Sequence, residues 1–235
     1  MITAARIKLL RSLSVKKFRD STGLFLVEGE KMVSEALSSG FEVEEVLRRA
    51  EVGEDVMRRI SSFDSPPPVA AVVRKRPSCN DATPPGGLCV ALDAVRDPGN
   101  MGTIIRTCDW FGVSALYVSP DCADIYNPKV VASSMGAIFR VNVVEAGLAD
   151  VCRAFNGRGL PVFGTFLDGE PIYEAPSLPS EALIIMGNEA RGISAGLQSA
   201  TDFRRLTIPS FGGRSESLNV AVATAITLSE FRRRG

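Results

Sequence analysis

The chain has 235 residues, 45% hydrophobic and 23% charged, with 27 Lys plus Arg against 27 Asp plus Glu. This composition excludes the disordered and fibrous classes, and the zero net charge excludes a chain-wide basic field, so any nucleic-acid footprint must be local. Histidine is absent, which removes Ser-His-Asp hydrolysis, Cys-His chemistry and histidine-ligated metal catalysis.

At about 150 residues per domain, the length suits one large domain or two modest ones. The first twenty residues hold Arg6, Lys8, Arg11, Lys16, Lys17 and Arg19 against Asp20 alone, a pattern open to two readings, a solvated helix face or a phosphate-facing surface. Next come an apolar run at Leu24 to Val27, a helical stretch at Lys31 to Leu37, a strand at Val43 to Leu47, a helix near Val56 to Ile60 and a strand at Val69 to Val73. Together they predict a small α/β domain. Arg76 to Gly87 is dense in Pro, Ser, Asn, Asp and Gly without apolar periodicity and reads as a linker. Two domains are therefore expected, residues 1–78 and 88–235, joined by 79–87.

Beyond the linker, strand-like runs recur at Leu88 to Leu92, Ala115 to Val118, Val141 to Val144, Val162 to Phe166, Ala182 to Met186 and Arg205 to Ile208. Helical patterns fall between them at Met101 to Phe111 and Lys129 to Ala137, and a final amphipathic helix is predicted from about Leu218 to Phe231. This alternation implies a mostly parallel sheet covered on both faces, whose ligands bind in the loops after the strands. The five cysteines, Cys79, Cys89, Cys108, Cys122 and Cys152, are odd in number and form no CxxC pair. They suggest neither a disulfide framework nor a zinc site. No apolar stretch approaches the ~20 residues of a membrane span, and the charged N-terminal segment lacks a signal-peptide apolar region, so a cytoplasmic protein with no membrane partner is expected.

Three of the strand-end loops carry polar chemistry. The first, Asp97-Pro98-Gly99-Asn100-Met101-Gly102 leading to Arg106, offers Asn100 as a helix cap and Arg106 as a five-donor group for phosphate or carboxylate. The second, Gly187-Asn188-Glu189-Ala190-Arg191-Gly192, follows a hydrophobic strand and suits close backbone approach to a ligand. The third, Ile208-Pro209-Ser210-Phe211-Gly212-Gly213-Arg214-Ser215-Glu216-Ser217-Leu218-Asn219, has Ser215 or Ser217 opening the last helix. Asn219 there competes with helical hydrogen bonding unless its side chain has a tertiary task. Neither a Walker A loop nor a dinucleotide fingerprint is present.

In this order, DPGNMGTIIRTCDWFGV, IIMGNEARGIS and IPSFGGRSESLNVAVATAI closely resemble the three signature motifs of the SpoU (TrmH-like) RNA ribose methyltransferases, over roughly Leu88 to Arg234. The FLVEGEKMVSEAL segment resembles the RNA-binding substrate domain often fused ahead of that catalytic domain. The resemblance implies an α/β fold with a deep C-terminal trefoil knot, a homodimer, and S-adenosylmethionine held by Thr165, Leu167, Gly187, Asn188, Ile208, Ser217 and Leu218. It implies catalytic roles for Asn100, Arg106, Glu189, Ser217 and Asn219, with Asn100 and Arg106 facing the partner's cofactor or the RNA. Lys16, Lys17, Arg19 and Arg106 are then expected on RNA phosphates, and the last helix, with Val220, Ala223, Ile226, Thr227 and Leu228, in the dimer interface. No metal is implied. Ribosomal RNA is the expected substrate. Transfer RNA, a noncatalytic RNA-binding or assembly role, and a base methyltransferase stand as alternatives.

Overall fold

The computed structural model describes residues 2–77, 81–212 and 216–234. From the N-terminus its elements are α1 (Ala4–Ser12), α2 (Lys16–Thr22), β1 (Leu24–Glu28), α3 (Glu30–Leu37), β2 (Val43–Arg48), α4 (Arg49–Val52), α5 (Glu54–Ile60) and β3 (Val69–Arg74). The chain continues with β4 (Leu88–Leu92), α6 (Pro98–Trp110), β5 (Ala115–Val118), α7 (Pro128–Ser134) and a 3-10 turn at Ala137–Phe139. Then follow β6 (Val143–Glu145), α8 (Leu148–Gly157), β7 (Val162–Pro171), β8 (Ala182–Met186), α9 (Ala195–Ala200), β9 (Arg204–Thr207) and α10 (Val220–Arg234).

Two units result, and they do not follow the chain linearly: residues 2–77 group with 124–140, and residues 81–123 group with 141–234. In the first unit β1, β3 and β2 form an antiparallel sheet in that order. Side chains on a strand alternate between faces. Leu24, Leu26, Ala70 and Val72 accordingly pack with Ile7, Leu10, Leu13, Met57 and Ile60. Phe25 projects the other way and is fully buried. Its cover comes from Tyr126 at 4.6 Å between ring centroids, Phe41 at 6.3 Å and Phe139 at 6.5 Å.

Residues 124–140 are thus core material of the first unit, although they fall within the stretch 88–235 expected as the second domain. A second tie explains why. Arg19, expected to face RNA phosphates, is only 1% exposed. Its Nε and Nη2 donate to Asp124 Oδ2 at 3.1 and 2.5 Å, and its Nη1 donates to the Leu13 carbonyl at 2.8 Å. A guanidinium is tolerated inside a protein only when paired and hydrogen-bonded, so Arg19 anchors the 124–140 segment and is not a surface ligand. Lys16 and Lys17 remain exposed on α2.

The second unit is a six-stranded sheet in the order β6-β5-β4-β8-β7-β9, every pair parallel. Its central strands β5, β4 and β8 are buried along their whole length. Cys89, Ala91, Leu183 and Ile185 pack on one face against Val151, Cys152 and Phe155 of α8 and Leu197 of α9. Cys89, Cys108 and Cys152 are free and buried. Burial pushes the Cys89 and Cys152 thiols up to about 11, and the Cys108 thiol up as well, so these behave as core thiols. Cys79 lies outside the described residues. On the other face α6 pairs with α10, where Phe231 meets the Phe163 ring edge-on at 5.1 Å.

The final helix buries part of the stripe expected in a dimer interface within the second unit's own core. Val220, Thr227 and Leu228 are core residues together with Ala221, Thr224 and Phe231, while Ala223 and Ile226 are half-buried. Val222 is left 48% exposed, and Trp110 at the end of α6 is 84% exposed. Among the described residues no helix is long and apolar enough to cross a membrane.

Candidate active site

Because all six strands run the same way, the loops after β4, β7, β8 and β9 emerge at one edge of the sheet, where such folds bind ligands. After β4 the chain makes a strained turn: Ala94 has φ 55°, a left-handed conformation costing of order 1–3 kcal/mol for a non-glycine residue. Neighbours hold it there. Ala94 N donates to Ser119 Oγ at 2.9 Å, Asn188 Nδ2 donates to the Ala94 carbonyl at 2.7 Å, and the buried Asp93 carboxylate accepts from Ser194 N at 2.7 Å.

Asp97, not Asn100, caps α6: its Oδ1 accepts from Asn100 N at 2.8 Å, with Pro98 in the first turn. Asn100 sits one turn in, so its side chain is released for other partners. Its Nδ2 donates to Glu189 Oε1 at 3.0 Å, and its Oδ1 accepts from Asn219 Nδ2 at 2.9 Å. Asn219 in turn caps α10, its Oδ1 accepting from Ala221 N at 2.9 Å and Val222 N at 3.3 Å. The helix therefore starts at Val220, and Ser217 does not open it; Ser215 lies outside the described residues, as do Gly213 and Arg214.

The carboxylate sets the polarity of this chain of amides. It can only accept, so Asn100 must present its NH2 to Glu189 and its oxygen to Asn219, and Asn219 must present its NH2 to Asn100 and its oxygen to the helix. Replacing Asn219 with alanine removes the cap, worth typically about 1 kcal/mol, and leaves Asn100 Oδ1 without its donor. The melting temperature is expected to fall by roughly 2–4 °C in Asn219→Ala, and Asn219→Asp, which keeps the capping oxygen but loses the NH2 that Asn100 Oδ1 accepts from, is expected to recover only the capping part of that loss. Thermal unfolding of the two variants checks this.

The β8 loop is closed by a two-way bridge, Asn188 N to the Gly192 carbonyl at 3.0 Å and Gly192 N to the Asn188 carbonyl at 2.9 Å. Asn188 Oδ1 accepts from Ala190 N and Arg191 N at 3.0 and 3.1 Å. With its side chain and backbone polar groups engaged this way, Asn188 staples the loop. Gly187 is required by contact: a Cβ there would lie 2.3 Å from Gly192 C and Ile193 N.

Thr165 Oγ1 donates to the Ile185 carbonyl at 3.0 Å, tying the first half of β7 to β8. The next residues bulge out of the pairing with β9 between Thr165 and Glu170. The bulge is held by Thr207 Oγ1 on the Leu167 carbonyl at 3.2 Å and by Arg205 on Asp168 at 2.6 Å, with the Arg205 guanidinium 3.5 Å above the Phe166 ring. Leu167 is thereby kept 76% exposed beside the half-buried Ile208, and Leu218 is 50% exposed. Apolar side chains held in water at the ligand edge suit the faces of a planar heterocycle.

Of the residues expected in the site, Asn100, Glu189 and Asn219 are therefore directly bonded. Ser217 is exposed and makes no side-chain bond to them. Arg106 projects from the exposed stripe of α6 that also carries Thr103 and Trp110. Asp93, Asp97 and the bracing role of Asn188 escaped sequence reasoning. The Asp-Pro pair at the helix start was a signal for the cap, whereas nothing local marks Asp93.

Residues 87–229 match the family model described as the SpoU rRNA Methylase family, and residues 4–71 match the MRM3-like substrate binding domain. The chain is 37% identical to the Bacillus subtilis 23S rRNA (guanosine(2553)-2'-O)-methyltransferase RlmP, over 97% of this chain and 96% of that one. A TrmH-family structure from Porphyromonas gingivalis superposes with a TM-score of 0.91 at 39% identity, covering 100% of both chains. An AdoMet-bound rRNA methyltransferase from Sinorhizobium meliloti superposes with a TM-score of 0.87 at 33% identity, covering 99% of this chain and 96% of that one.

Proposed function

The chain belongs to the SpoU rRNA methylase family, and from that premise we propose that it transfers a methyl group from S-adenosylmethionine to a ribose 2′-hydroxyl of ribosomal RNA. The observation that carries this reading is the meeting of Asn100, Glu189 and Asn219, from three distant segments, in one hydrogen-bonded chain at the ligand edge of a parallel sheet. The cofactor assignment is supported by the AdoMet bound in the Sinorhizobium meliloti relative. Ribosomal RNA as substrate is supported by the activity named for the Bacillus subtilis relative.

Thr165, Leu167, Gly187, Ile208, Ser217 and Leu218 surround the cofactor in this proposal, with Leu167, Ile208 and Leu218 against its adenine. When bound, the sulfonium supplies an already activated methyl group, so no metal is needed. The chain's own task is placement: holding the hydroxyl in line with the methyl is worth up to roughly 7–11 kcal/mol. Arg106 holds the phosphate beside the reactive ribose and stabilises charge developing on the 2′-oxygen as its proton leaves. Glu189, through Asn100, fixes the start of the helix that carries Arg106.

The C-terminal segment is proposed to thread as a deep trefoil knot and the protein to act in the cytoplasm as a homodimer. Trp110 and Val222, exposed on the paired helices α6 and α10, support a second copy covering that face, with Asn100 and Arg106 turned toward it or toward the RNA. The N-terminal domain binds RNA, Lys16 and Lys17 contacting phosphates. Isothermal titration of the full chain with S-adenosylmethionine tests the reading. Saturable binding at one site per chain is expected, and absence of binding contradicts it.

A further inference from the structure

Arginine is the only basic side chain of residues 81–123 and 141–235, which contain neither lysine nor histidine. Ten arginines are described there: Arg96, Arg106, Arg153, Arg158, Arg191, Arg204, Arg205, Arg232, Arg233 and Arg234. Seven engage protein acceptors through their guanidinium groups, among them Arg158 on the Pro84 carbonyl, Arg205 on Asp168 and Arg232 on the Phe111 and Gly112 carbonyls. The three whose guanidinium groups meet no acceptor among the described residues are Arg96, Arg106 and Arg191, all exposed. Arg96 and Arg191 stand on the two loops that Glu189 joins, and Arg106 on the helix that the first of them opens.

The carboxylates of those loops are turned away from them. Asp97 Oδ1 accepts from Asn100 N, and Glu189 accepts from Asn100 Nδ2 at Oε1 and Asn188 Nδ2 at Oε2. Arg96 adjoins Asp97, whose N–H points to Glu189 Oε1 at 3.5 Å, and Arg191 lies two residues beyond Glu189. Both stand on fixed backbone. Val95 beside Arg96 is fully buried and accepts from Ala123 N at 2.8 Å, and Arg191 N donates to Asn188 Oδ1 at 3.1 Å. Two un-neutralised planar forks on rigid turns, flanking one site, have the geometry and charge for phosphodiester recognition.

We propose that Arg96 and Arg191 bind RNA phosphates on either side of the reacting nucleotide, adding two backbone contacts to the one assigned to Arg106. The inference rests on the methyltransferase reading above and deepens it: phosphate contacts fix the register of a strand without reading its bases, so this pair places the target ribose.

The test is the salt dependence of affinity of the full chain for a ribosomal RNA fragment, in wild type, Arg96→Ala, Arg191→Ala and the double variant. Each lost phosphate contact is expected to lower the slope of log K against log salt by about 0.7 to 0.9, and the double variant by about twice that. Lysine at either position is expected to restore the slope, and S-adenosylmethionine affinity to stay at the wild-type value. An unchanged slope in the double variant overturns the proposal. So does weakened cofactor binding with intact RNA binding, which would place these arginines on the cofactor's carboxylate. If alanine at either position lowers the melting temperature, Arg→Gln variants supply the same comparison. Failure of the wild type to bind cofactor or methylate RNA would instead count against the methyltransferase reading itself.

Discussion

Arg106→Ala is expected to lower kcat for RNA methylation by roughly 10²–10³-fold, the usual effect of removing one donor aimed at developing charge, while leaving cofactor affinity unchanged. Arg106→Lys is expected to recover only part of the loss, because the ammonium keeps the charge but not the planar two-donor fork. The side chain is exposed, so both variants should keep their melting temperatures, since surface substitutions of this kind usually fall within about 0.5 kcal/mol. Single-turnover methyl transfer at saturating RNA separates this loss from weakened binding. Near-wild-type rates in Arg106→Ala would remove the residue from the mechanism.

The second large effect is on stability. Asp124→Ala leaves Arg19 buried without its counter-charge, and breaking such a pair from one side costs about 3–5 kcal/mol. Hydrogen exchange of the β1 and β3 amides should show the first unit opening more readily, with the β4 and β8 amides much less affected. Replacing both partners with apolar residues, Arg19→Met with Asp124→Leu, is expected to recover most of the loss, because no orphaned charge remains. Equal protection in wild type and Asp124→Ala would contradict the anchoring role. The same pair makes truncation a poor probe of RNA binding. Removing residues 1–75 strips Phe25 from Tyr126 and Phe139 and Arg19 from Asp124, so Lys17→Ala in the full chain is the cleaner variant.

Much of the second unit was legible in the sequence because its strands are short apolar runs buried on both faces, and Leu88–Leu92, Ala115–Val118 and Ala182–Met186 form where those runs fall. The predicted helix from Lys129 to Ala137 stops at Ser134, because Met135 and Gly136 take positive φ. Asn219 stood out as an awkward helix start with a task to find, and it has two, the cap and the bond to Asn100. Arg19 was not distinguishable from Lys16 and Lys17. Its burial depends on a carboxylate 105 residues away, and no local periodicity reports a contact at that range. The choice of Asp97 over Asn100 as cap decided more than a helix boundary, since it frees the Asn100 amide to link Glu189 with Asn219.

The most direct measurement is chemical identification of the product. Ribosomal RNA incubated with the protein and S-adenosylmethionine labelled at the methyl carbon should yield, after alkaline hydrolysis, label in dinucleotides resistant to cleavage, because a 2′-O-methyl group removes the attacking hydroxyl. Label recovered on a base in mononucleotides, or no label incorporated by protein that binds the cofactor, would contradict ribose methylation.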